Sequence, residues 1–138
     1  MAANKSTKMI GDKFLLDTNI VVDWLRGEAA VAGHIDNAKE IFIPLIVIGE
    51  LYYGAFYAKD VEKEIKVVRD IADKYDILYL DDDTAFTYGK IKADLRKKGK
   101  PIPENDIWIG AIAMQHNLTV VTRGKHFNEI YGLKITQW

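Results

Sequence analysis

The sequence contains no cysteine among its 138 residues. This absence excludes disulfide bonds and metal sites built from thiolates, and it fits a protein of the reducing cytoplasm. The formal net charge is only −1, so no overall basic field attracts nucleic acid, and any such binding must depend on a local patch. The chain also lacks an apolar run approaching the roughly 18 residues of a membrane span.

The first residues contain no apolar core of the kind found in secretory signal peptides. We therefore expect residues 1–12 to be a flexible lead-in and residues 13–138 to form one domain. Hydrophobic residues make up 49% of the chain, which is enough for one sizeable core at this length. The expected protein is soluble, cytoplasmic and without membrane contacts.

Short apolar runs alternate with segments of helical periodicity along the chain. The first run, Phe14-Leu15-Leu16, ends abruptly in Asp17, and strands that are buried on both faces have this continuous apolar character. Further strands are predicted near residues 41–43, 77–80 and 119–122, with a weaker one at 133–135. Repeated alternation of this kind predicts an α/β fold, a parallel sheet with helices on both faces.

Three carboxylates stand alone within apolar segments. Asp17 is the only ionisable side chain from Phe14 to Val22, and Glu50 is the only one from Ile41 to Ala58. The helix predicted at 45–58 is apolar nearly all round, so we expect it to be buried with Glu50 inside it. Asp106 opens a helix in which no Asp, Glu, Lys or Arg follows until after Thr122. An isolated buried carboxylate is costly, so it normally pairs, shifts its pKa or binds a cation.

Each acid also has an ordinary structural interpretation. Asp17 could be a plain helix N-cap, and Asp106 could complement the dipole of the helix that it opens. Glu50 would need a buried basic partner, which the sequence does not identify. All three are expected to project towards the carboxyl edge of the sheet, where open parallel sheets bind their ligands.

Taken together, three oxygen-donor side chains predict a Mg²⁺ or Mn²⁺ site. Zinc is disfavoured, because the three histidines have no ligand-like spacing and are interpreted as surface or loop residues: His34, His116 and His126. The run Asp81-Asp82-Asp83 is predicted to be a solvated helix start with one aspartate as the cap. The aromatic group is interpreted as core or interface surface: Tyr52, Tyr53, Phe56 and Tyr57.

Four short motifs occur in the order and spacing of the PIN domain. They are Leu15-Leu16-Asp17-Thr18-Asn19, Ile48-Gly49-Glu50-Leu51, residues 99–106 (GKPIPEND) and residues 121–127 (VTRGKHF). More narrowly, the chain resembles the VapC toxins of bacterial and archaeal toxin–antitoxin pairs. The resemblance runs from about Phe14 to Trp138, and it is carried by the ordered set of motifs, since each motif is short.

The resemblance implies a parallel sheet in the order 3-2-1-4-5 and a Mg²⁺- or Mn²⁺-dependent endoribonuclease. Asp17, Glu50 and Asp106 would be the acidic metal ligands, and Thr18 or Asn19 would lie near the scissile phosphate. Family members commonly carry a fourth acid in the turn after the fourth strand, where this chain has Gly124. The implied partners are an RNA such as tRNA or another structured RNA, a cognate antitoxin protein and a second copy of the chain.

A basic cluster leads into the Asp106 loop and is a candidate for binding the RNA backbone. Its members are Lys90, Lys92, Arg96, Lys97, Lys98 and Lys100, of which Lys98 and Lys100 are nearest to the loop. Thr122, Arg123 and Lys125 could extend this surface. The ordinary interpretation of such a charge run is a solvated helix face.

Two other classes of function stay open from the sequence. A phosphotransferase of the haloacid dehalogenase type also begins with an aspartate at a strand end. That chemistry needs a second aspartate two residues later, where this chain has Asn19. A non-catalytic PIN scaffold that binds RNA or protein is the stronger alternative, because Gly124 replaces the fourth acid.

Overall fold

The computed structural model describes residues 13–138, so the predicted lead-in at 1–12 lies outside the described residues. Within them, strands and helices alternate as the sequence predicts. The strands are β1 (Lys13–Leu16), β2 (Glu40–Pro44), β3 (Asp76–Leu78), β4 (Thr119–Val121) and β5 (Ile135–Thr136). The helices are α1 (Thr18–Leu25), α2 (Ala29–Asn37), α3 (Leu45–Phe56), α4 (Val61–Lys74), α5 (Asp82–Lys97) and α6 (Glu104–His116), with a 3₁₀ turn at His126–Glu129.

The five strands form one parallel sheet in the order β3-β2-β1-β4-β5, which confirms the predicted topology. The central strand β1 lies between β2 and β4, with Leu15 opposite Phe42 on one side and Val120 on the other. Leu15 and Leu16 have no exposed surface. The apolar run that marks the strand in the sequence is therefore the middle of the core, as expected for a strand covered on both faces.

The strand order brings two distant segments together at the carboxyl edge of the sheet. β1 ends at Leu16 and β4 ends at Val121, and these two residues are partners in the register. The backbone N–H of Asp17 donates to the carbonyl of Val121 at 3.0 Å. The residues that follow each strand, Asp17 and Thr122, therefore emerge side by side.

Helix α3 corrects one prediction. It ends at Phe56, earlier than predicted, and it is not buried all round. One face packs on the core through Val47, Ile48 and Leu51, whereas Tyr53 is 72% exposed and Phe56 is 68% exposed. When a helix is apolar on every side, its sequence does not show which face packs on the core and which apolar face stays exposed.

The interpretation of the run of three aspartates as a helix start is confirmed. Asp81 is the N-cap of α5, and its Oδ1 accepts from the N–H of Thr84 at 3.0 Å within a capping box. After α1, the chain turns at Gly27 with φ of +83°, a left-handed conformation that glycine adopts without strain. No helix in the described part, from residue 13 onwards, is long and apolar enough to cross a bilayer.

Candidate metal and RNA-cleavage site

A cavity of about 570 Å³ opens at the carboxyl edge of the sheet. All three predicted acids line it: Asp17 after β1, Glu50 in α3 and Asp106 in the first turn of α6. Thr18 and Asn19, one of which the family resemblance places near the scissile phosphate, line the same cavity. Residues far apart in the sequence are thus brought together by the topology of the sheet.

Asp17 is the most buried of the three acids, with 9% of its surface exposed. Its Oδ1 accepts from the backbone N–H of Thr18 at 2.8 Å, so it does serve as the N-cap of α1. Its Oδ2 accepts from the hydroxyl of Thr122 at 2.7 Å. Burial nevertheless raises the pKa of Asp17 above its ordinary value, and the charge of Asp106 adds to this. The capping and ligand interpretations of Asp17 are therefore compatible.

Glu50 is half-buried and faces the cavity from α3. Burial is the main cause that raises its pKa, and the charges of Asp17 and Asp106 raise it further. The neighbouring Thr18 and Asn105 side chains act in the opposite direction, since polar contacts favour the ionised form. Two carboxylates with raised pKa values in one cavity, beside the negative charge of Asp106, are typical of a functional site.

The donor set fits a hard cation. Thr18 Oγ1 is buried beside the acids and makes no hydrogen bond of good geometry within residues 13–138. No three acidic or histidine side chains in that range converge closely enough to enclose an ion by themselves. Mg²⁺ does not require such a cage, because it keeps several waters and is commonly bound through one or two carboxylates.

His126 is a site residue that the sequence interpretation missed. It is exposed and lies in a turn, as the sequence predicts, but the sequence did not show that its Nδ1 lies 2.9 Å from Oδ2 of Asp106 and that its ring lines the cavity. The strand order could have indicated that His126 lies near the acids, because His126 follows β4 and β4 ends beside β1. Arg26, at the end of α1, also lines the cavity and makes no ion pair within the described range.

Thr122 lies at the site but has no surface free to contact RNA. It is fully buried, its hydroxyl donates to Asp17, and the same oxygen accepts from the N–H of Gly124 at 3.0 Å. The predicted contact between Thr122 and a phosphate is therefore replaced by a positioning role. Its hydrogen bond fixes the Asp17 carboxylate and the start of the turn that carries Gly124.

Arg123 also differs from its predicted role. Its guanidinium pairs with Asp23 at 2.7 Å and with Glu28, and it donates to the carbonyl of Trp138 at 2.8 Å. The indole of Trp138 in turn stacks on His34. Arg123 thus ties the last residue of the chain to the end of α1, and its donors are occupied by protein acceptors rather than free for phosphate.

We expect Arg123→Ala to lower the melting temperature by several degrees, because it leaves two carboxylates and a carbonyl without their shared donor. Thermal unfolding followed by circular dichroism measures this. Arg69→Ala is the matched control, since Arg69 is exposed on α4. Equal melting temperatures for the two variants would show that the contact does not stabilise the fold.

The basic cluster lies mostly away from the cavity. Lys98 donates to the carbonyl of Glu129 and lines a separate cavity between α5, α6 and residues 130–132. Lys92 pairs with Glu104 and Tyr88. Neither Lys98 nor Lys100 lines the cavity of the three acids, so a role in RNA binding would require a substrate that extends well beyond the site.

The raised pKa of Glu50 leads to a prediction about stability. The folded state retains the proton of Glu50 above the ordinary value of 4.5. The free energy of unfolding in EDTA therefore falls as pH rises from about 4.5 through the raised pKa. Glu50→Gln removes the cost of ionising this carboxyl group in the folded state. The variant should therefore be more stable than the parent at neutral pH in EDTA, by about 1 kcal/mol or less.

Melting curves of the two proteins between pH 4 and pH 8 test this prediction, and their difference isolates Glu50 from all other titrating groups. Adding Mn²⁺ should stabilise the parent more than Glu50→Gln. If Glu50→Gln is less stable in EDTA and gains as much from Mn²⁺ as the parent, Glu50 is a structural acid and the site must be redrawn without it.

The chain is similar to a known family and to characterised proteins. The family described as PIN domain matches residues 14–133. Ribonuclease VapC2 of Haemophilus influenzae is 34% identical over 129 residues, covering 91% of this chain and 98% of the relative. The tRNA(fMet)-specific endonuclease VapC of Salmonella typhimurium is 31% identical over 132 residues, covering 91% of this chain and 98% of the relative.

Solved structures show the same similarity. The DNA-bound VapBC complex of Salmonella typhimurium contains a chain that superposes with a TM-score of 0.85 at 30% identity. VapBC2 of Rickettsia felis, bound to a DNA fragment from its promoter, gives 0.84 at 28% identity. Both comparisons cover 91% of this chain and 98% of the other. The likeness therefore extends over nearly all of the described fold.

Proposed function

Since this chain belongs to the PIN domain family, we propose that it is a Mg²⁺- or Mn²⁺-dependent endoribonuclease and the toxin of a toxin–antitoxin pair. The observation that carries the proposal is the convergence of Asp17, Glu50 and Asp106 on one cavity at the carboxyl edge of the sheet. The ribonuclease names of the relatives at 31–34% identity support the same reaction.

The roles of the residues follow from their surroundings. A bound Mg²⁺ or Mn²⁺ would make a water nucleophilic at neutral pH and stabilise charge on the phosphate. Asp17 and Asp106 would hold the ion, with the Asp17 carboxylate fixed by the hydroxyl of Thr122. Glu50 would be a further ligand, or would accept a proton at its carboxylate, for which a raised pKa is favourable.

The RNA would approach through the open side of the cavity. Thr18 and Asn19 lie beside Asp17 and would contact the scissile phosphate. Arg26, rather than Arg123, would contact a phosphate, because it lines the cavity and the guanidinium fork of arginine suits a phosphate group. A structured RNA such as tRNA is the proposed substrate class, following the name of the Salmonella relative.

Incubation of the metal-free protein with end-labelled RNA, in Mn²⁺ and in EDTA, tests this function. Cleavage only with Mn²⁺ is the expected result. The alternative is a non-catalytic RNA-binding scaffold; it rests on Gly124 in place of a fourth acid, and the ribonuclease names of the relatives do not favour it. Retention of intact RNA on a native gel, without cleavage in either condition, would support that alternative and contradict the proposed enzyme.

The proposed partners are an antitoxin protein and a second copy of the chain. The solved relatives are VapBC complexes, which supports an antitoxin partner. Three aromatic side chains are exposed at the end of α3 and in its C-cap: Tyr53, Phe56 and Tyr57. Apolar groups exposed together are typical of interaction surfaces. We assign this face of α3 to homodimerisation.

Light scattering at high micromolar concentration should therefore report a dimer. Phe56→Glu should shift it towards the monomer, because a charge on the buried face of a dimer is costly. Phe86→Glu is the matched control, since Phe86 is 77% exposed on α5. A strictly monomeric parent protein, or equal behaviour of both variants, would contradict the assignment.

A further inference from the structure

The segment after β4 contributes Gly124, His126 and Phe127 to the cavity wall, and among them only His126 carries a donor side chain. Gly124 has no side chain there, although a Cβ at this position would meet only Thr122 Oγ1 at 3.5 Å, an ordinary contact. Residue 124 therefore has room for the side chain of a further acid, but glycine supplies no atom that could bind an ion. His126 carries an imidazole in the same cavity.

The position of His126 is fixed by its neighbours. Phe127, the next residue, is fully buried, and the 3₁₀ turn begins at His126 itself. The imidazole is 57% exposed and directs Nδ1 to Oδ2 of Asp106 at 2.9 Å. Asp17 lines the same cavity. His126 therefore contacts one of the two acids proposed to hold the ion and shares a cavity with the other.

We propose that His126 is a nitrogen ligand of the ion held by Asp106, and that the site consequently prefers Mn²⁺ to Mg²⁺. This inference rests on the proposed metal-dependent function and specifies its donor set. Nδ1 lies 2.9 Å from Oδ2 of Asp106 and the imidazole lines the same cavity, so an ion held by Asp106 would lie within reach of this nitrogen.

The preference for Mn²⁺ follows from the chemistry of the donors. Both ions suit carboxylates and water, but Mn²⁺ is a first-row transition metal and accepts an imidazole nitrogen more readily than Mg²⁺, which is a hard cation that favours oxygen ligands. Replacing a fourth carboxylate by glycine removes a hard oxygen donor, and His126 supplies a softer nitrogen donor. The competing interpretation is that His126 only donates a hydrogen bond to Asp106 and never touches the ion.

Electron spin-echo envelope modulation of Mn²⁺ bound to the full-length protein separates the two interpretations. A directly coordinated imidazole nitrogen modulates the echo, whereas a histidine that only bonds Asp106 gives no such coupling. We expect nitrogen modulation in the parent and its loss in His126→Gln, whose amide can still donate to Asp106. His116→Gln, at the opposite end of α6 from Asp106, is the control and should keep the modulation.

Titration calorimetry supplies the second readout. His126→Gln should bind Mn²⁺ at least about 10-fold more weakly, in line with the loss of a group at a metal site, while its affinity for Mg²⁺ stays within about twofold. Bound Mn²⁺ without nitrogen modulation in the parent would overturn this inference and leave the metal-dependent function standing. A parent protein that binds neither ion would overturn both.

Discussion

Asp17→Asn and Asp106→Asn should each reduce Mn²⁺-dependent RNA cleavage by at least about 100-fold. Removing a group that only orients a metal ligand already lowers metal affinity or activity by about 10- to 100-fold. Asp17 and Asp106 are the proposed ligands themselves, so their replacement should cost at least as much. Each change keeps the shape of the side chain and removes its charge. The proteins should therefore lose activity because they lose the ion.

The fold should survive both changes. Asparagine is as good an N-cap as aspartate, so residue 17 can still accept from the N–H of Thr18. Asp36→Asn, on the exposed surface of α2, is the matched control and should cleave at the parental rate. Initial rates at several Mn²⁺ concentrations, with melting curves as a check of folding, make up the measurement. A folded Asp106→Asn variant that cleaves undiminished would remove Asp106 from the site.

Thr122→Val should weaken Mn²⁺ binding by about 10- to 100-fold without removing any charged group. Valine fills nearly the same volume in this fully buried position but cannot donate to Oδ2 of Asp17. The raised pKa of Asp17 should rise further, because a hydrogen bond to the ionised form is lost. A hydrogen bond to a charged group contributes about 1.5–3 kcal/mol to stability, so the loss of this contact with the Asp17 carboxylate should be measurable.

Two further variants make the Thr122 result specific. Thr122→Ser restores the hydroxyl and should recover most of the affinity. Thr119→Val lies at the other end of β4 and should leave the affinity unchanged. Calorimetric titration with Mn²⁺ gives all three values. If Thr122→Val and Thr119→Val bind Mn²⁺ equally well, Thr122 is a core residue with no influence on the site.

The fold and the three acids could be predicted because their signals are local. A buried parallel strand appears as an apolar run, and a carboxylate that interrupts such a run is conspicuous. Asp17, Glu50 and Asp106 each stand out within their own segment. The strand order, by contrast, came from the resemblance to a known family, because apolar periodicity does not specify which strands are neighbours.

The supporting contacts could not be predicted because they join distant segments. Thr122 meets Asp17 across 105 positions of the sequence, and His126 meets Asp106 from a different element. Arg123 has the same charge whether it contacts RNA or protein, and only the position of Asp23 and Glu28 decides between them. For α3, apolar composition was mistaken for burial, since hydrophobicity alone does not distinguish a core face from an interface.

The most direct test of the account is anomalous diffraction from a crystal soaked in Mn²⁺. We predict an anomalous peak within bonding distance of both Asp17 and Asp106, and its absence from crystals of Asp17→Asn. Mn²⁺ bound only elsewhere on the protein, or no peak in the cavity at saturating Mn²⁺, would contradict the assignment of these acids to a metal-dependent nuclease site.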